Sequence, residues 1–241
     1  MINKLIHQTW KDGNIANYHE KVALNSHSSW ILNYRNFDYK LWTDEDIYNL
    51  ISTKYSFALN AYENLDQNIK KVDLARYIIL YEYGGVYADL DFISSKQIPE
   101  IYFDNYNFLG YKARRGHIPI ESQIPETIER NTVNAWVLGQ AFFACKKNFE
   151  PLLALIENIV SNYELTTSPL LHTGPEKIHK IMLDFYDIQT DSNVHIFDFN
   201  EIGNDHGVYG FHQRLHNWDS GSSYKKNFLS SIKIFIRNIF R

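Results

Sequence analysis

The chain has 241 residues and a single cysteine, Cys145. No disulfide can form within it and no thiolate cage can hold a metal, so a reducing compartment is the simplest setting. An excess of positive charge is also missing. The formal net charge is −4 and the pI about 6.2, which leaves no global field to draw in nucleic acid. No stretch approaches the roughly 18 apolar residues that a membrane-spanning helix needs. The opening MINKLIHQTWKDG puts Lys4, His7 and Gln8 where a secretory signal requires an unbroken apolar run. A cytoplasmic location is therefore expected. Neither an internal repeat nor a linker is visible, so one domain is expected over 1–221, followed by a distinct tail at 222–241.

Aromatic residues are plentiful, with seventeen Tyr, fifteen Phe and five Trp, and a chain of this size buries roughly 70–75% of its unfolded surface. A folded globular protein is expected. NKLIHQTW reads as a first strand, and DYKLWTDEDIYNLI as a second strand turning into a helix. Thr43 is placed as its N-cap, ahead of Asp44, Glu45 and Asp46 in the first turn. A helix is expected from about Gln67 to Tyr83, closed by Gly84-Gly85, with a strand over Val86–Phe92. Ser94–Asn131 reads as polar and loop-rich. TVNAWVLGQAFFACKK reads as strand, NFEPLLALIENIV as a helix with Pro151 in its first turn, LHTGPEKIHKIM as a loop feeding a helix, and NVHIFDF as a strand. This order points to an α/β layered fold.

In the tail, Phe228, Ile232, Phe235 or Ile236, and Ile239 recur at helical spacing. Lys225, Lys226, Lys233, Arg237 and Arg241 supply five positive charges, with no acid after Asp219. Two readings of this basic amphipathic helix stand side by side, a helix docked on the core and an anchor on an anionic membrane surface.

EYGGVYADLDF holds the densest chemistry. In a strand, Asp89 and Asp91 share one face, where two carboxylates repel unless a cation sits near them. A hard divalent ion, Mn²⁺ or Mg²⁺, supplies that cation. One helix earlier, Asp73 and Arg76 are three apart and share a face. They lie in largely apolar sequence, which favours a buried helix over a surface ion pair.

KKVDLARYIILYEYGGVYADLDF resembles the signature of glycosyltransferases with a DxD motif, of the GT-A type and the family 32 group. IHQTW at 6–10, TVNAW at 132–136, HTGP at 172–175 and YGFHQRLHNW at 209–218 are similar to further motifs of that family in the same order. The resemblance implies a Rossmann-like nucleotide-sugar-binding domain with a mostly parallel mixed central sheet flanked by helices. It also implies a metal-dependent, retaining transfer of a hexose to a glycan or lipid-linked acceptor in surface polysaccharide synthesis, with a UDP-sugar favoured as donor and GDP-mannose as the alternative.

Carried over residue by residue, the resemblance implies that Asp89 contacts the ribose or sugar of the donor. Asp91 holds the metal, His212 ligates it or touches the diphosphate, Asp73 and Arg76 hold sugar hydroxyls and place the donor, and Asn134 reaches the transferred sugar. Trp10 packs against the nucleobase, with a core role nearly as well supported. Trp218 takes the place of the closing tryptophan, preceded by Asn217 where the family has Ser. Gln213 replaces a second histidine often found there. Lys112, Arg114, Arg115 and His117 are candidates to meet an acidic or phosphate-linked acceptor, weighed against a solvated basic loop. His172, His206 and His216 are second candidates near the site, and His19, His27, His179 and His195 have no ligand spacing. Two other readings compete, an aspartate-dependent phosphohydrolase and a nucleotide-sugar-binding module without catalysis. The first wants Thr or Ser two residues beyond the second Asp, where this chain has Ile93.

Overall fold

The structure, a computed structural model, describes residues 1–15, 20–114, 136–203 and 206–213. Strand β1 (Leu5–Thr9) pairs in parallel with β2 (Asp38–Trp42) on one side and β3 (Gly85–Ala88) on the other. Parallel neighbours need crossovers. Helix α1 (Glu20–Asn33) makes the first, and α2 (Asp44–Lys54), α3 (Ser56–Asn64) and α4 (Asn68–Tyr83) make the second. Thr43 caps α2 as expected, in a reciprocal capping box with Asp46.

Further elements follow: β4 (Phe92–Ser94), α5 (Glu100–Asn105), β5 (Phe108–Arg114), β6 (Trp136–Leu138), β7 (Phe142–Cys145), α6 (Glu150–Ser161), α7 (Pro169–His172), α8 (Pro175–Phe185), β8 (Val194–Phe197), β9 (Ile202–Gly203) and β10 (Gly210–His212). The main sheet has the order β2-β1-β3-β7-β5-β6, with β8 also on β5. Of its seven strands, β1, β2, β3, β5 and β8 run one way and β6 and β7 the other, so the sheet is mixed and mostly parallel. Strands β4, β10 and β9 form a small second sheet.

Both faces of the main sheet are covered. Tyr87, Phe143 and Cys145 face a core shared with α2, α3, α4, α6 and α8, while Val86, Ala88, Phe142 and Ala144 face one built on Trp30, Tyr34, Phe92 and Phe103. The period-2 alternation of β3 and β7 divides them between the two layers. Helix α4 lies within the first layer, with Leu74 through Leu80 all buried, which bears out the buried-helix reading.

At the end of α4 the chain turns into β3 through Gly84 at φ 63° and Gly85 at φ 97°. A Cβ on Gly85 would lie 2.3 Å from the Leu5 carbonyl oxygen, and one on Gly84 would lie 2.5 Å from the Lys147 nitrogen. Only glycine fits both the backbone geometry and the space.

Two expectations need correction. Val86–Phe92 is not one strand, because β3 stops at Ala88 and β4 begins at Phe92. Between them the Phe92 amide donates to the Asp89 carbonyl at 2.9 Å, closing a four-residue turn. Asp89 and Asp91 therefore come together through a turn and not through the pleat. Nor is the first part of Ser94–Asn131 loop. Helix α5 is a short helix, below the length at which periodicity shows. The stretch FLGY of β5 is buried between β7 and β8, despite the basic residues that follow. The remainder of that segment and the tail at 222–241 lie outside the described residues.

Candidate active site at the end of β3

A cavity of about 1250 Å³ opens beyond the C-terminal ends of β1 and β3, where α/β sheets commonly place ligands. Its lining includes Trp10, Asp73, Arg76, Asp89, Asp91, Gln140 and His212. Seven of the candidate site residues from the sequence lie at the cavity: Trp10, Asp73, Arg76, Asp89, Asp91, Arg114 and His212.

Arg76 is 2% exposed and stands between two carboxylates. One guanidinium nitrogen lies 3.2 Å from Asp73 Oδ1, and the other lies 3.2 Å from Asp89 Oδ1 and donates to the Gln140 carbonyl at 2.9 Å. The guanidinium also lies 4.8 Å above the Tyr87 ring. Asp73 receives the Thr173 hydroxyl on Oδ2 at 2.7 Å and the Gln140 side-chain amide on Oδ1. Burial pushes the Asp73 carboxyl up to about 6, while Arg76, Thr173 and Gln140 pull it down, so it is ionised at neutral pH. The surface ion pair considered for Asp73 and Arg76 is excluded, since both are buried.

Asp89 is fixed from the other side. Tyr87 Oη donates to Asp89 Oδ1 at 3.0 Å, and with its proton so committed it accepts from Thr9 Oγ1, also at 3.0 Å. Burial raises the Asp89 carboxyl above the usual range, Arg76 opposes this, and Asp91 pushes it further up. His212 arrives on β10, which runs antiparallel to β4 with His212 opposite Phe92. The Gln213 amide ties the end of β10 to the Asp91 carbonyl at 2.9 Å, and His212 Nε2 lies 3.1 Å from Asp91 Oδ1.

One ligand atom from each of Asp89, Asp91 and His212 lies within 4.8 Å of the others. Two crowded carboxylate oxygens and an imidazole nitrogen suit a hard to borderline divalent ion, and the imidazole favours Mn²⁺ over Mg²⁺.

Trp10 is half-buried at the cavity edge, its backbone amide bonded to the Trp42 carbonyl at 2.9 Å and the Lys11 ammonium 5.8 Å from its ring centroid. Lys112 pairs with Asp198, whereas Arg114 lines the cavity. His172 is buried and does not line it. Asn134, Asn217, Trp218, Arg115, His117, His19 and His216 lie outside the described residues.

Three participants escaped the sequence reading. Gln140 follows Gly139 between two short strands, Thr173 sits in the HTGP segment that carried only a family likeness, and Tyr87 reads as an ordinary core aromatic. The HTGP likeness was the one available signal.

Residues 20–108 match the family model described as "Glycosyltransferase sugar-binding region containing DXD motif". Inositol phosphoceramide mannosyltransferase 3 of Schizosaccharomyces pombe is 43% identical over 90 residues, which cover 37% of this chain and 24% of that protein. The initiation-specific alpha-1,6-mannosyltransferase of Candida albicans is 34% identical over 118 residues, covering 47% and 30%. Among solved structures, the PaToxG glycosyltransferase is similar with a TM-score of 0.49 and 15% identity, over 76% of this chain and 69% of that one. The matches span about a quarter to a third of the two mannosyltransferases' lengths. Residues 20–108, which carry Asp73, Arg76, Asp89 and Asp91, are thus similar to the sugar-binding region of glycosyltransferases that contain a DXD motif.

Proposed function

We propose that the chain is a divalent-metal-dependent hexosyltransferase, which moves a hexose from a nucleotide-diphosphate sugar to a glycan or lipid-linked acceptor with retention of configuration. The observation that carries this reading is the convergence of Asp89, Asp91 and His212 at the mouth of a large cavity, directly beside the Asp73–Arg76 pair. Asp91 and His212 would hold the cation, with Asp89 adjacent. The bound ion supplies Lewis-acid stabilisation of the charge that develops on the departing diphosphate.

Arg76 keeps Asp89 and Asp73 in fixed orientation, so their remaining lone pairs can accept from sugar or ribose hydroxyls. Neither carboxylate is an idle nucleophile, because both are engaged by the same guanidinium. This supports attack of the acceptor from the leaving-group face. Trp10 offers an aromatic face for the base, and Arg114 offers a cation on the acceptor side.

The relatives named above are mannosyltransferases, which favours GDP-mannose over the UDP-sugar expected from the sequence. An acceptor linked to lipid agrees with the inositol phosphoceramide in one relative's name. A cytoplasmic reaction is the reading, and the basic amphipathic pattern of residues 222–241 supports a peripheral seat on the cytoplasmic face of a membrane as its variant. Ile93, buried in β4 where a phosphohydrolase wants Thr or Ser, leaves that alternative without support.

The test is a panel of GDP-mannose and UDP-hexoses with and without Mn²⁺, read by nucleotide release and by melting temperature. One donor is expected to release nucleotide in an Mn²⁺-dependent way and to stabilise the fold by about 2.7 kcal/mol at a hundredfold excess over Kd. Binding without turnover would favour the non-catalytic module. No shift with any donor would overturn the reading.

A further inference from the structure

Strand β1 lies in a parallel region covered on both faces, where apolar residues are the rule, yet His7 and Gln8 are both fully buried. Their side chains leave β1 on opposite faces, and each bonds to one end of β3. His7 Nε2 lies 2.9 Å from the Gly84 carbonyl at the entry. Gln8 Nε2 donates to the Asp89 carbonyl at 3.2 Å at the exit.

The orientation of the Gln8 amide is set by its neighbours. Ser26 Oγ gives its proton to the Phe92 carbonyl at 2.7 Å, so it accepts from Gln8 Nε2 at 3.1 Å. The Asp89 carbonyl is also an acceptor, and Tyr39 Oη donates to Gln8 Oε1 at 2.9 Å. Every polar atom of Gln8 is answered, and reversing the amide would set acceptor against acceptor.

The Asp89 carbonyl is the same one that accepts from the Phe92 amide and closes the turn presenting Asp91. Gln8 therefore grips the turn at its first residue. Helix α1 grips its last, since Trp30 Nε1 donates to the Phe92 carbonyl at 3.0 Å, beside Ser26. Gln8 does not line the cavity.

We infer that Gln8 is a positioning residue for the cation site, acting through the Asp89 carbonyl to hold the Asp89 and Asp91 carboxylates at a fixed spacing. The inference rests on reading Asp89, Asp91 and His212 as that site. Groups that orient metal ligands from behind change affinity by about 10–100-fold when removed.

The test uses the full chain and Mn²⁺ alone, with free Mn²⁺ followed by electron paramagnetic resonance and folding by a thermal melt. Gln8→Met, close in volume and without a donor, is expected to melt cooperatively and to bind Mn²⁺ about 10–100-fold more weakly. Ile156→Val, a core change in α6, is expected to lower the melting temperature and leave Mn²⁺ affinity unchanged, which separates positioning from general stability. If Gln8→Met does not fold, Ser26→Ala, which loosens both the Gln8 amide and the Phe92 carbonyl, is expected to weaken Mn²⁺ binding about tenfold. Wild-type affinity in folded Gln8→Met, or in Ser26→Ala in its stead, overturns the inference and leaves the transferase reading standing. No Mn²⁺ binding by the wild-type chain overturns the cation site and this inference together.

Discussion

Two carboxylates of the site, eighteen residues apart, live under different rules. Asp73 is buried and receives Arg76, Thr173 and Gln140, so its charge is answered within the protein. Asp91 sits in a turn at the cavity, beside a second carboxylate and a histidine. A buried and fully bonded charge specifies geometry, whereas a crowded anionic cluster open to a cavity calls for a cation from outside. Arg76 belongs to both settings, because it bonds Asp73 and Asp89 at once.

The comparison breaks most sharply at Arg76. Arg76→Met leaves the buried Asp73 and the part-exposed Asp89 without their shared cation, and removing one partner of a buried pair such as Asp73–Arg76 costs about 3–5 kcal/mol. Urea unfolding monitored by circular dichroism should show the midpoint fall accordingly, with transfer lost as well. An unchanged midpoint would mean that the pair does not hold the interior together.

Asp91→Asn should do the reverse. It keeps the turn and relieves the crowding of like charges, so the melting temperature without metal stays level or rises. Mn²⁺ binding is lost, and transfer falls by about 10³-fold, the several kcal/mol that metal-assisted charge stabilisation provides. Equal destabilisation in the Arg76 and Asp91 variants would erase the distinction between the two carboxylates.

His7 sharpens the comparison by showing a buried polar group that is tolerated because it carries no charge. Trp42 Nε1 donates to its Nδ1 at 3.0 Å, so the proton sits on Nε2 and is donated to the Gly84 carbonyl. Burial lowers its pKa to about 4. The unfolded chain then takes up this proton first as pH falls. The His7 contribution is present above about pH 6.5 and is lost as pH falls toward 4, to a total of about 3 kcal/mol. Unfolding free energies of wild type and His7→Gln across pH 4–7.5 should differ by a curve of that sign. A flat difference would show that His7 titrates normally.

Much of this was legible in local pattern. The capping box at Thr43, the α4 helix, the glycine pair and the partnership of Asp73 with Arg76 each follow from residues within a few positions of one another. What stayed hidden depends on distance along the chain. Gln140 and Thr173 reach Asp73 across 67 and 100 residues, and Gln8 reaches Asp89 across 81. No periodicity records such contacts. The turn at Asp89–Phe92 was hidden for another reason, because Leu90 and Phe92 keep the alternation of a strand while tertiary bonds to β10 and α1 bend the backbone. Periodicity reports which side chains are buried, and here it could not report that the chain changes sheets between them.

The smallest expected effect is at Thr173. Thr173→Val keeps the shape and removes the hydroxyl donated to Asp73 Oδ2 at 2.7 Å, which costs about 2 kcal/mol for a bond to a charged group. The same loss removes a donor that favours the ionised form, so the Asp73 carboxyl moves above its present value of about 6. Protonated Asp73 no longer attracts Arg76 or accepts on both oxygens, and the acidic limb of the rate profile shifts to higher pH. Activity of Thr173→Val should fall more at pH 6 than at pH 8, while Thr173→Ser, which restores the hydroxyl, should return the limb to its place. A uniform loss at both pH values would mean that Thr173 acts through packing alone, and that the Asp73 charge is held by Arg76 without its help.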